Sequence, residues 1–160
     1  MRESISIGVL TLCSRNIVNM SGNRRKGQEM SSENCLAKVT YRCEIPMKLP
    51  SLNEYVDVCR TNAYMASKFK KDLERDIGIF IEKLPRFMNP VEIHFHWIEG
   101  NKRRDLDNIC FAKKFILDAM VKEGKLKDDN SKCVTAFTDT FSYDTETKVI
   151  LEIKEVDNGN

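Results

Sequence analysis

The sequence predicts a single layered domain of the α/β (α+β) class, a mixed β-sheet with helices packed on one face. Three observations carry that prediction. Segments around Val39–Cys43 and Val91–Ile98 alternate apolar and polar residues, the period of a half-buried strand. Two later segments repeat apolar residues at steps of three and four, the period of an amphipathic helix. Their order along the chain is strand, helix, strand, helix, strand, strand, with no internal repeat.

The chain has 160 residues, which fits one domain burying roughly 70% of its unfolded surface. Seven glycines and four prolines exclude collagen-like and low-complexity readings. Its 26 Lys and Arg nearly balance 24 Asp and Glu, for a formal charge of +2, so net charge alone does not identify a nucleic-acid partner. The distribution is uneven. Residues 101–132 carry nine basic and six acidic side chains, whereas 133–160 carry two and six.

Residues 1–36 show no helical or strand period and contain the polar stretch Ser21–Asn34 with the basic run Arg24–Lys26. They read as a loose N-terminal extension, and the folded domain is expected to span 37–156. In the first strand Val39, Tyr41 and Cys43 alternate with Lys38, Thr40 and Arg42. Pro46 and Pro50 then bracket an extended loop leading into Ser51-Leu52-Asn53-Glu54-Tyr55. Ala66, Phe69, Leu73, Ile77, Phe80 and Leu84 form the stripe of a long helix, closed by Pro85. Val91, Ile93, Phe95 and Trp97 share the core face of the next strand, which Gly100 closes. A second helix is expected from about Asn108 to Glu123, with Gly124 as its C-terminal cap. Cys133–Phe141 and Lys148–Val156 read as two strands joined by Ser142–Thr147 in a hairpin.

The six cysteines, Cys13, Cys35, Cys43, Cys59, Cys110 and Cys133, include no C-x-x-C pair, so a structural zinc site is not expected. Arg2 and the apolar run Ile5–Cys13 imitate a signal peptide only loosely. Glu3 lies in the would-be basic region, and no small-residue cleavage site follows. No segment approaches the roughly 20 apolar residues that cross a bilayer. The expectation is a cytoplasmic protein with reduced thiols and no membrane partner. His94 and His96 share the polar face of the second strand. H-x-H can bind zinc, but no third ligand offers itself nearby, so they read as polar-face residues.

The densest chemistry lies between the second strand and second helix, at Lys102-Arg103-Arg104-Asp105-Leu106-Asp107-Asn108. Residues two apart in extended backbone project to one side, so Asp105 and Asp107 present two carboxylates together. Two such charges ~4 Å apart repel by roughly 4 kcal/mol at an effective dielectric near ~20. Splaying, protonation or a bound cation relieves this, and Mg²⁺ suits carboxylate oxygens. The plainer reading has Asp107 as a helix cap and Asp105 as company for the basic residues. Asp128 and Asp129 add weight if their loop returns to the same corner, although Asp-Asp-Asn-Ser is also ordinary turn composition.

The string Arg103-Arg104-Asp105-Leu106-Asp107-Asn108, then Lys114 with Ile116-Leu117-Asp118-Ala119, then Asp128-Asp129, resembles the RusA family of Holliday junction resolvases. Leu52-Asn53-x-Tyr55 and the Ala66/Lys68 helix fit the same pattern, so the resemblance spans about residues 37 to 156. It implies a RusA-like fold and a homodimeric endodeoxyribonuclease, dependent on Mg²⁺ with Mn²⁺ as a substitute. Such enzymes, commonly encoded by prophages, cut four-way or branched DNA by paired symmetric nicks in recombination and repair. By the same resemblance Asp105, Asp107 and Asp129 match the metal-binding aspartates, and Lys114 the essential lysine. One departure stands out. About three extra residues lie within Ile109–Lys113, nearly one helical turn, which leaves Lys113 and Lys114 as alternatives.

Phosphodiester hydrolysis needs an attacking water and neutralisation of the developing charge, which carboxylate-held Mg²⁺ and a nearby lysine supply. Lys102, Arg103 and Arg104 would grip backbone phosphates, or instead neutralise Asp105 and Asp107. Two other classes compete. One is a non-catalytic RusA-like DNA-binding or assembly module. The other is a nucleotide-sugar transferase using D-x-D with Mn²⁺, disfavoured because 160 residues leave no second domain for the acceptor.

Overall fold

The structure, a computed structural model, describes residues 39–156. The N-terminal extension expected over 1–36 lies outside the described residues. Strand β1 is Thr40–Ile45, helices α1 and α2 are Leu52–Thr61 and Ala63–Ile81, and β2 is Val91–Glu99. The short α3 (Leu106–Cys110) and longer α4 (Lys113–Lys122) follow, then β3 (Val134–Tyr143) and β4 (Lys148–Glu155).

The four strands form one mixed sheet in the order β1-β4-β2-β3. β4 runs antiparallel to β1 and β2, while β3 runs parallel to β2. A parallel neighbour demands a crossover, and α3 and α4 provide it. The layered fold expected from the periodicity is therefore present. The hairpin expected between the last two strands is not: β2 lies between β3 and β4. Burial explains the difference. On β2 Val91, Ile93, Phe95 and Trp97 are all sealed in the core, which suits a central strand, whereas Thr135, Ala136, Phe137 and Thr138 of β3 stay exposed, which suits an edge. The connection between them steps over the end of β2, where Asp144 N–H donates to the Glu99 carbonyl at 3.0 Å.

The core lies between the sheet and the helices. Ile77 and Ile81 of α2 and Phe115, Ile116 and Met120 of α4 bury against Ile45, Phe95, Trp97, Leu151 and Ile153. Full burial of each such side chain is worth about 1.5–3 kcal/mol. The opposite sheet face presents Arg42, Glu92, His94, His96, Thr140, Glu152 and Lys154.

Two expected elements differ in detail. The segment after the Pro46–Pro50 loop forms a helix of its own, α1, which the periodicity did not announce. Ser51 forms a capping box, its hydroxyl accepting from Glu54 N–H at 3.2 Å while Ser51 N–H donates to the Glu54 carboxylate at 2.6 Å. The second helix starts two residues earlier than expected and breaks at Phe111-Ala112. There the backbone tightens to i→i+3 bonds, Ala112 N–H to Ile109 and Lys114 N–H to Phe111, both 3.1 Å. The break falls in the stretch that carries the extra residues. Gly124 ends α4 with φ +66° as expected, its N–H bonding the Val121 carbonyl at 3.0 Å.

Candidate metal and DNA site

Asp105 and Asp107 occupy the entry to α3, beyond the end of β2, and both are exposed. Asp105, not Asp107, takes the N-cap position, and its side chain makes no capping hydrogen bond. Asp107 is therefore not the cap, although it lies in the first turn, where a carboxylate suits the helix dipole. The flanking basic residues do not neutralise the pair either. The Lys102 ammonium lies over the Tyr143 ring, 5.1 Å from its centroid. Arg104 turns inward: its guanidinium donates to Glu99 at 2.9 Å and to the Leu49 carbonyl at 2.9 Å, with Glu54 3.5 Å away. Arg104 thus ties the β1–α1 loop to the end of β2, and its guanidinium is not offered to a phosphate. Arg103, like Lys102, is exposed with no charged partner among the described residues, and its backbone N–H is held by the Asn101 side chain at 3.0 Å.

Asp129 lies elsewhere. Because β2 and β3 are parallel, the chain leaves β2 at one end of the sheet and enters β3 at the other. Asp105 and Asp107 follow the exit, whereas Asp129 precedes the entry, and a strand of nine residues separates those ends by roughly 30 Å. The Asp129 loop is fastened at its own end, where Phe87 N–H bonds the Lys125 carbonyl and Val91 N–H bonds the Cys133 carbonyl, both 2.9 Å. Among the described residues no three His, Cys, Asp or Glu side chains gather closely enough to hold a metal ion. The expectation that the Asp129 loop returns to the same corner fails within one chain, for the topological reason just given. The donor set that remains, two unneutralised carboxylates, fits Mg²⁺, which binds through one or two carboxylates and completes its shell with water and phosphate oxygens.

The two candidate lysines face different neighbours, as adjacent helical residues must at 3.6 per turn. Lys114 is exposed and pairs with Asp118 at 3.2 Å, on the side of α4 where Lys70 of α2 also reaches Asp118, at 2.8 Å. Lys113 instead reaches β3, 2.7 Å from the Asp139 carboxylate, over the rings of Phe95 and Phe137. Trp97 Nε1–H holds the other Asp139 oxygen at 2.9 Å. Burial raises the Asp139 carboxyl, but the hydrogen bonds from Lys113 and Trp97 and the lysine charge outweigh it and hold the group below its ordinary range. The Cys110 thiol shares this corner and is pushed up to about 11, first by burial, then by the Asp139 charge, with Asp107 adding a smaller push. Lys113 and Asp139 thus lie beside Cys110, three residues on from Asp107, whereas Lys114 pairs with Asp118.

Asp139 escaped the reading of the sequence, although it leaves a signal there. Phe137, Asp139 and Phe141 alternate onto the core side of β3, and a carboxylate in that series requires a partner. The four cysteines among the described residues are all unpaired, and no helix there is long and apolar enough to cross a membrane. No family model matches the chain, and no curated protein matches it, so the likeness to the RusA family rests on the motif residues alone.

Proposed function

We propose that the chain is a Mg²⁺-dependent endodeoxyribonuclease acting on four-way or other branched DNA as a two-fold dimer in a reducing, cytoplasmic setting. One observation carries the reading: Asp105 at the N-cap and Asp107 in the first turn of α3 are both exposed, without an ion-pair partner among the described residues, beside exposed basic side chains. Asp105 and Asp107 hold the ion. Mg²⁺, when bound there, supplies an acidified water and charge neutralisation for in-line phosphodiester hydrolysis that leaves a 5′-phosphate and a 3′-hydroxyl. Arg103 and Lys102 bind flanking phosphates and position the strand without reading its sequence. Lys113, held by Asp139, presents positive charge on the Asp107 side of α4, where negative charge builds on the scissile phosphate.

A junction has two-fold shape, so paired nicks call for two centres related by symmetry. Asp129 lies too far from Asp105 and Asp107 to serve them within its own chain, and it joins the site as a residue of the second copy. The test is nicking of a labelled four-way junction in Mg²⁺. Asp107→Asn should abolish it while leaving thermal unfolding unchanged, and retained wild-type nicking would refute the assignment. The separation of Asp129 from the other two carboxylates favours one rival, a binding module without cleavage. That reading expects salt-sensitive junction affinity with no nicks from the wild-type protein.

A further inference from the structure

The sheet ends in an edge strand with little to protect it. β3 closes the order β1-β4-β2-β3, and among the described residues it pairs with β2 alone. The outer N–H and C=O groups of an edge strand are a template for another strand. Proteins blunt such edges with proline, lysine, bulges or short length. β3 is ten residues long and carries neither proline nor lysine. Its one irregularity falls at the start, where Val91 pairs with Val134 and Glu92 with Ala136, so that Ala136–Tyr143 runs regular. Its one charge, Asp139, is already held by Lys113 and Trp97.

The helix layer leaves this strand open as well. Phe137 and Tyr143 stand on the helix side, in register with Ile93 and Glu99, yet remain 46% and 43% exposed. The other edge differs: β1 is six residues long, and α2 packs against it.

A second copy of the chain fits this edge in one register. Opposite residues of an antiparallel pair share a face, so a two-fold axis must set one residue of β3 against its own copy. Centring on Asp139 sets two carboxylates opposite each other, which is unfavourable. Centring on Thr138 leaves Tyr143 opposite the partner's Cys133, and centring on Phe141 leaves Phe137 opposite the partner's Thr145, both outside β3. Centring on Thr140 sets Phe137 against the partner's Tyr143 and Asp139 against the partner's Phe141. Aromatic cross-strand pairs stabilise a sheet, and the axis makes this one twice.

We infer that two copies pair antiparallel through β3 about Thr140, joining their four-stranded sheets into one continuous sheet with all helices on one face. The inference rests on the two-fold dimer of the proposed function and gives it an interface. Antiparallel pairing turns the second copy end for end. The partner's Asp129, which precedes its β3, then comes to the sheet end where Asp105 and Asp107 follow β2, whereas a single chain holds them apart.

Sedimentation equilibrium of the full chain tests the interface without DNA or Mg²⁺. Wild type should be dimeric, and Asp107→Asn equally so, since residue 107 lies outside the strand. Phe137→Glu and Tyr143→Lys should each raise the dimer dissociation constant about 10-fold, because each removes the aromatic pair at both symmetric positions. Placed together in one chain they set glutamate opposite lysine across the axis and should recover most of the loss. Such rescue excludes unfolding as the cause. Monomeric wild type, unchanged dissociation in the single variants, or a double variant weaker than either single variant would each overturn the inference. Those results leave nicking by the wild type, and so the nuclease reading, untouched. A β3 dimer that passes these tests but never nicks upholds the interface and refutes the nuclease.

Discussion

Arg104 separates structural from DNA-binding roles within the basic run, and Arg104→Ala is the informative substitution. The Arg104 side chain is 16% exposed and that of Glu99 9%, and they meet at 2.9 Å. Truncating the arginine leaves Glu99 buried without its partner and strips the Leu49 carbonyl of its donor. Breaking a buried pair costs about 3–5 kcal/mol, and the residual exposure places this one near 3 kcal/mol. Urea unfolding should show a lower midpoint at unchanged slope, and the melting temperature should fall by roughly 10 °C. Glu99→Gln should also destabilise, whereas the double variant Arg104→Met/Glu99→Met should recover much of the loss, since no charge is then stranded. Arg103→Ala should leave unfolding unchanged and weaken junction binding, with a shallower dependence on salt. A loss below about 1 kcal/mol in Arg104→Ala, together with weakened junction binding, would refute this and return Arg104 to the phosphate-gripping role.

Mixing Asp107→Asn chains with Asp129→Asn chains tests the shared site. If Asp129 serves the second copy, each mixed dimer retains one intact centre and nicks one strand; if it serves its own chain, no nicks appear. Lys113→Ala should lower the nicking rate by about 10²-fold while Lys114→Ala changes it little, measured in single-turnover assays. Glu54 carries a pH signature. The Ser51 backbone N–H, against burial and with help from the Ser51 hydroxyl and Lys48, lowers its carboxyl from 4.5 to about 2. A carboxyl depressed on folding stabilises above its unfolded value, and that stability is lost as pH falls toward 2. Wild type should therefore exceed Glu54→Gln by about 1 kcal/mol at neutral pH, with the gap closing between pH 4.5 and about 2.

The layered fold was legible because its signals are local. The alternation at Val91–Trp97 and the three-four steps from Ala66 to Phe80 depend only on neighbours in the chain. Strand order is not local. The last two strands are adjacent in sequence, and adjacency favours a hairpin, yet the better-buried β2 takes the central place and separates them. Helix α1 was hidden differently. None of its residues is buried, so it has no core stripe, and its signal was the Ser51–Glu54 capping box instead.

The candidate site divides along the same line. Asp105 and Asp107 are two residues apart, so their common place at the start of α3 could be read directly from the chain. Asp129 and Lys113 depend on topology. A parallel crossover starts and finishes at opposite ends of its two strands, so the residues just before β3 are held away from those just after β2 in the same chain. The same crossover lays α4 across the sheet, which brings Lys113 to Asp139 and leaves Lys114 with Asp118. Motif spacing along a helix can slip by one residue without leaving a mark in the sequence, but a one-residue slip turns the side chain by about 100°. The ion pair with Asp139, itself held by Trp97, is what sets Lys113 apart from Lys114 in the proposed site. Asp139→Asn should therefore impair nicking through Lys113 even though residue 139 touches no substrate. If Asp139→Asn cleaves as fast as wild type while Lys113→Ala does not, the lysine acts without that support.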